Sequence, residues 1–255
     1  MAADGFQVKI EDGVAICSMS GPNMNAMGTD MVPAMRDGFK SVMEDDGVRV
    51  IVLRGEGGNF SSGADLSFMG EKMDPIALRD AMHSVGRIIS ELHDGPRPVI
   101  SEVDGWAAGG GFSLALASDI TYATDRARFI MSFVRISLIT DFAGGYFLAR
   151  RCGLARAKDL CLSGRAIDAQ EALQMGVVNR VLPPEEISAE VLKLAKRMAT
   201  RPAMVLEMIK HNLNVSDRVD LKTFLELEAH AQSICVMTDA HRQDVAKFLN
   251  KESGE

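Results

Sequence analysis

The sequence predicts an α/β fold, a mostly parallel sheet with both faces covered. Three observations carry this: near-continuous apolar runs of strand length, helical runs alternating with them, and helical periodicity alone after about residue 185. "FQVKI" and "VAICSMS" are short β-type runs on either side of Asp12-Gly13, a strong hairpin-turn dipeptide. Thr29 is placed to cap a helix running to about Glu44. The unit then recurs: "VRVIVLRG" (48–55) ends in the glycine-rich "GEGG", and a helix is expected from about Asp74 to Leu92. "RPVISEVDG" starts another strand just before three consecutive glycines, and "DITYAT" and "ARFIMS" supply two more. From Glu185 to Lys251 there are four amphipathic helical runs and no strand: 185–199, 202–213, 219–236 and 240–250, divided by Pro202 and the polar "NVSD". Such a tail has to bury its apolar stripe on the main body or on another subunit. The expected division is a strand-and-helix core over 1–190 and a C-terminal helical region over 191–255.

Composition narrows the function. A chain of 255 residues is long enough to bury a sizeable core without disulfides. A net charge of −7 and no long Lys/Arg run argue against a nucleic-acid partner. The N-terminal "MAADGFQVKI" carries an acidic residue where a signal peptide would be positive, and no apolar stretch approaches a membrane span. No membrane partner is expected, and the location expected is cytoplasmic, with the mitochondrial matrix open if a transit peptide has been removed. Cys17, Cys152, Cys161 and Cys235 are scattered at no ligand spacing, so they read as buried thiols, with no metal site or disulfide framework. The sixteen methionines mostly occupy apolar positions and read as core filling.

In "DGWAAGGGFSLALASD" (104–119), three glycines separate a strand from a helix-forming run. That arrangement lets the backbone approach a ligand and aims amide N–H groups of the first turn at an anion or oxyanion. Neither phosphate-binding motif fits, since no Gly-Lys-Ser/Thr and no G-x-G-x-x-G order is present. Close helix-to-strand packing is the alternative. A second glycine-bearing turn, "GEGGNFSSGADLSFM" (55–69), also follows a strand. Two such turns after parallel strands belong at the carboxyl ends of the sheet, where ligands bind and where two amides can meet one oxygen.

At these stretches the sequence resembles the crotonase superfamily, the enoyl-CoA hydratase and isomerase family. The resemblance lies in "PNMNAM" (22–27), "GNFSSGADL" (58–66), "RPVISEVDGWAAGGGFSLALASDI" (97–120), "ARFIMSFVRISLITDFAGGYFLARRCG" (127–153) and "LSGRAIDAQEALQMGVVNRVLP" (162–183). It implies a spiral of ββα units, a C-terminal helical trimerisation region, homotrimers that pair into hexamers, and acyl-CoA thioester substrates. It implies no cofactor beyond the coenzyme A carried by the substrate. The family's oxyanion hole falls on the backbone N–H of Ala64 and Gly110, flanked by Ser62, Gly63, Asp65, Leu66 and Gly109. Met24, Asn25 and Ala26 fall on the adenine-side loop, and Lys251 on a lysine that meets CoA phosphates from a neighbouring subunit; an exposed terminal lysine is the alternative.

The hydratase glutamates are replaced by Ser113 and Phe133. Water addition needs a base for the water and an acid for the α-carbon, and a hydroxyl and a phenyl ring supply neither at neutral pH. Asp141 matches the carboxylate that isomerases of the family use to shuttle a proton between C2 and C4. Its neighbours Phe133, Ile139 and Phe142 are apolar, and desolvation by them would raise its pKa. An N-cap for the helix starting near Ala143 is the competing reading of the same residue.

The implied activity is therefore Δ3,Δ2-enoyl-CoA isomerisation. The alternatives are hydration or another chemistry of the family, with Asp141 as nucleophile in a dehalogenase or thioester hydrolase, or C–C hydrolysis, and non-catalytic acyl-CoA binding. The nucleophilic variant lacks its helpers, since Phe133 stands at the family's tryptophan position and Ser90 at its histidine position. Asp65 reads as closing a turn, Asp119 as fixing a turn, and His83 and His93 as surface or cap residues. Phe68, Met69 and Met82 suggest an apolar cavity.

Overall fold

The computed structural model describes residues 5–68 and 74–252; Met69 lies outside the described residues, as do the side chains of Phe68 and Lys251. Strands β1 (Gly5–Glu11) and β2 (Val14–Ser20) pair antiparallel, with Glu11 opposite Val14. The turn between them places Asp12 and Gly13 at φ of 51° and 76°, the conformation a two-residue hairpin requires. After a single turn, α1 (Pro22–Asn25), helix α2 (Met31–Glu44) returns the chain to β3 (Val50–Gly55). Its cap position is Asp30, not Thr29, and no side chain bonds the first turn there.

Helix α3 (Pro75–Asp94) starts where expected, with the Asp74 carboxylate accepting from the Ile76 amide. It leads to β4 (Val99–Val103), then β5 (Trp106–Ala108) and α4 (Gly110–Ala117). Strands β6 (Ile120–Thr124) and β7 (Arg128–Ile130) follow, then α5 (Gly144–Cys152), α6 (Leu154–Ser163), β8 (Ala166–Asp168), α7 (Ala169–Gln174) and β9 (Arg180–Leu182). The main sheet runs β1-β2-β3-β4-β6-β9, with every pair after the hairpin parallel, and β5-β7-β8 form a second, smaller sheet.

Side-chain alternation divides the strands between two cores. Ala15, Cys17 and Met19 of β2 and Ile51 and Leu53 of β3 face the larger core, under α2, α3 and α4. Val14, Val50, Val52 and Ile100 face the opposite side, covered by Ile187, Val191 and Ala195 of α8 (Pro184–Ala199). Residues 190 and 191 lie inside α8, which packs on the sheet; the helices beyond it are α9 (Ala203–Val215), α10 (Leu221–Val236) and α11 (Asp239–Glu252). Lys210 pins α9 to the body, donating to the carbonyls of Leu92 (2.6 Å) and Arg97 (3.0 Å) and pairing with Asp119 at 2.9 Å. Leu213, Leu221, Leu225 and Phe248 on α9 to α11 remain exposed.

Two of the cysteines, Cys17 and Cys152, are buried as expected, and burial pushes the Cys17 thiol up to about 12. Cys161 and Cys235 are only half-buried. No helix among the described residues is long and apolar enough to cross a membrane.

Candidate active site

The site begins where the loop after β3 is stitched to the α1 turn. Asn25 does the stitching: its Nδ2 donates to the carbonyls of Glu56 and Asn59, both at 2.8 Å, and its Oδ1 accepts from the Gly21 amide. Ser61 Oγ donates to the Asn25 carbonyl, and Ser62 Oγ to that of Asn23. Met27 brackets the next residue, its amide donating to the Gly63 carbonyl (2.7 Å) and its carbonyl accepting from the Asp65 amide (3.2 Å). Among the described residues, the Ala64 N–H between them has no acceptor.

The glycine run arrives beside it. Ser61 and Ala107 form a parallel bridge, and the Ala108 amide donates to the Ser61 carbonyl. Gly109 then turns at φ 52°, ψ −120°, where a side chain is strained, and Gly110 opens α4. At that position an N–H has no partner within its own helix. The two turns are close: a Cβ placed on Gly63, whose φ is +90°, would stand 3.1 Å from the Gly110 nitrogen and 2.7 Å from the Ala108 oxygen. Two backbone donors from distant parts of the chain, both free among the described residues, thus occupy neighbouring turns.

Asp141 precedes Phe142, and the two line one cavity. The Oδ1 of Asp141 is buried with no hydrogen-bond partner among the described residues, and burial raises the carboxyl from 3.8 to about 6. It does not cap α5 with its side chain. The Gly144 amide bonds the Asp141 backbone carbonyl at 2.9 Å, and Ala143 holds the cap position. Phe142 and Ala143 both have left-handed backbone, at φ 49° and 54°, which swings the Phe142 ring onto Gly110. Non-glycine residues in that region mark constrained, often functional, segments. A cavity of about 610 Å³ lies between this loop and α3, walled by Leu78, Met82, Val85 and Ile89 on one side and by Ile139, Asp141 and Phe142 on the other. Among the described residues, Asp141 supplies the one carboxylate in that wall.

The other expected site residues divide. Ser113 is fully buried: its Oγ donates to the Gly109 carbonyl, and Gly144 closes over it so tightly that a Cβ there would stand 2.2 Å from that Oγ. Phe133 is buried against Gly109. Met24 and Leu66 are exposed, and Ala26 is buried. The polar side-chain atoms of Asn25 and Ser62 donate to backbone carbonyls and hold the loop in place. Asp65 closes its turn by accepting from the Ser67 amide, as expected. Lys251 is in the last turn of α11.

His83 is exposed, and His93, in the last turn of α3, is half-buried: it packs edge-on against Phe147, with ring centroids 5.0 Å apart, and burial lowers its pKa. Asp119 reaches further than a turn, accepting from the Val99 amide at 2.7 Å while paired with Lys210. A residue whose role had no sequence signal is Arg151, which donates to the Leu116 and Ser118 carbonyls at the C-terminal end of α4. Among the described residues no group of three or more His, Cys, Asp or Glu is placed to hold a metal ion.

A six-stranded sheet with one antiparallel edge, a small second sheet, helical layers and two glycine-lined turns with free amides define an α/β protein of the crotonase fold. The family model described as enoyl-CoA hydratase/isomerase matches residues 9–255, and the chain belongs to that family. It is 34% identical to a 1,2-epoxyphenylacetyl-CoA isomerase of Escherichia coli, covering 96% of this chain and 95% of the relative. It is 30% identical to a crotonyl-CoA hydratase of Syntrophomonas wolfei, over 98% and 97% of the two chains. The crystal structure of an enoyl-CoA hydratase from a Polaromonas species superimposes with a TM-score of 0.92 at 29% identity, covering 97% of each chain.

Proposed function

We propose that this enzyme moves a double bond in an acyl-CoA thioester by proton transfer, as a Δ3,Δ2-enoyl-CoA isomerase does. The Ala64 and Gly110 N–H groups hold the thioester oxygen. Asp141, ionised, takes a proton from C2, and the electron pair left behind spreads onto that oxygen as a dienolate. The same carboxyl then returns the proton at C4, so the double bond moves from C3–C4 to C2–C3 and no water is consumed. Main-chain donors of this kind each lower the barrier by roughly 3–4 kcal/mol, because they are already aimed where charge develops.

The observation that carries this reading is the Oδ1 of Asp141, buried and without a partner among the described residues, in a cavity wall shared with the Phe142 ring that rests on Gly110. One carboxylate near neutrality suffices for a shuttle, whereas hydration asks for a second, and Ser113 is sealed beneath Gly144. The names of the relatives support acyl-CoA chemistry, one being an isomerase and one a hydratase. The exposed apolar residues of α9 to α11 support a homotrimer, or a hexamer built from two, as the assembly.

The test is incubation with a 3-enoyl-CoA and mass spectrometry of the product. Isomerisation leaves the mass unchanged, while hydration adds one water. Asp141→Ala should abolish turnover and retain CoA-ester binding. A parent protein that binds acyl-CoA but converts no 3-enoyl thioester would overturn the isomerase reading and favour a non-catalytic binder.

A further inference from the structure

Gly86 lies in the middle of α3, within "HSVGRII". A glycine there weakens a helix relative to alanine, because it gives up more backbone freedom on folding. Positive φ or a close neighbour commonly accounts for such a residue. Gly86 has neither: its φ is not positive, and a Cβ built on it would meet nothing within 4 Å among the described residues. Gly86 is exposed, and the open space beside it adjoins the cavity that Asp141 lines, of which Gly86 is itself a lining residue. Met82, Gly86 and Ser90 are spaced four apart on one helix face, so the wall retreats at the middle of the three. At about 610 Å³ the cavity is far roomier than a four-carbon acyl group needs.

We infer that Gly86 sets the depth of the acyl cavity and selects an acyl group of medium length, whose apolar tail passes over this gap beyond the carbons facing Asp141. The inference rests on the acyl-CoA reading above and adds the class of acyl group to it. Leucine at position 86 fills the gap from the helix side, while alanine fills only its rim and strengthens the helix.

Binding of saturated butanoyl-CoA and octanoyl-CoA to the full-length parent, Gly86→Ala and Gly86→Leu, measured by calorimetry, tests this without requiring turnover. The parent should bind octanoyl-CoA at least about tenfold more tightly than butanoyl-CoA. Gly86→Leu should weaken octanoyl-CoA by about tenfold or more and leave butanoyl-CoA within about twofold. Gly86→Ala should melt above the parent with a smaller loss of the octanoyl ester, and it decides the matter should the leucine variant fail to fold. A parent without the chain-length preference, or a folded variant that keeps its octanoyl affinity, overturns the role of Gly86 and leaves the acyl-CoA reading standing. A parent that binds neither ester overturns both.

Discussion

The Phe142 ring leans on Gly110: a Cβ built on Gly110 would stand 3.3 Å from the ring Cε2, and the same ring lines the cavity that holds Asp141. One aromatic side chain thus joins the amide turn to the carboxylate. It does so from a backbone φ of 49°, a left-handed conformation that costs a non-glycine residue about 1–2 kcal/mol.

Two truncations separate the ring from the strain. Phe142→Ala loses the buried ring and keeps the left-handed residue, and should destabilise the protein by about 3–5 kcal/mol. Phe142→Gly loses the same ring but relaxes the backbone, and should be more stable than the alanine variant by about 1 kcal/mol. Urea unfolding midpoints of the two variants check this. Alanine ranking above glycine would contradict the left-handed placement of residue 142.

Burial of Asp141 raises its carboxyl from 3.8 to about 6, which fixes two pH dependences. As a base it must be ionised, so kcat/KM should climb through about pH 6 and level off above it. For stability the sign is opposite. The folded state holds this proton more tightly than the unfolded chain does, so the contribution favouring folding is complete below about pH 4 and is lost as pH rises to about 6. Asp141→Asn removes the penalty of the buried charge, and should gain about 1–2 kcal/mol above pH 6 after allowance for its partial exposure, with little gain at acid pH. Thermal unfolding of parent and variant across that range reads the difference.

What the sequence revealed depended on how far each signal reaches along the chain. Alternation in "VAICSMS" is local, and β2 sends Ala15, Cys17 and Met19 to one core and Val14 to the other, as a strand buried on both faces must. Strands β5, β8 and β9 have three residues each, too few for a period to register, and were missed; β7, equally short, was read from its apolar run "ARFIMS", but its partners in the second sheet were not. The left-handed turn at Phe142 and Ala143 carries no glycine to announce it, which left Asp141 readable as a helix cap. Asn25 bonds carbonyls more than thirty residues away, a pairing without local signature, so its residue type alone did not distinguish a loop clamp from a ligand contact.

Gly63 tests whether the two amides act together. A Cβ there would stand 2.7 Å from the Ala108 carbonyl oxygen, a backbone atom that can retreat only by parting the two turns. Gly63→Ala should cost about 1–3 kcal/mol of stability and lower kcat by about 100- to 1000-fold, as loss of one oxyanion donor does. Gly57→Ala is the matched control, because Gly57 also has positive φ, at +70°, but open space around it. It should lose about 1 kcal/mol with kcat within about twofold. Steady-state kinetics beside denaturant unfolding distinguish the two, and a comparable fall in kcat for both would mean that the turns act through general stability alone.

Asn25 should be intolerant of a change that preserves its shape. Asn25→Asp keeps the acceptor for the Gly21 amide but turns an oxygen toward the Glu56 and Asn59 carbonyls, which now receive 2.8 Å bonds from Nδ2. Two carbonyls lose their donor and face a carboxylate, so the variant should be less stable by about 2–5 kcal/mol near neutral pH. Protonation restores one donor. The folded state therefore raises the pKa of the introduced carboxyl, and the deficit should shrink as pH falls from neutrality toward about 4. Because the same bonds hold the loop that carries Ala64, kcat should fall with stability and recover in part with it. Unfolding free energies of parent and variant, measured at neutral and at acid pH, check this. A deficit that stays constant across that range would show that Nδ2 does not clamp the loop.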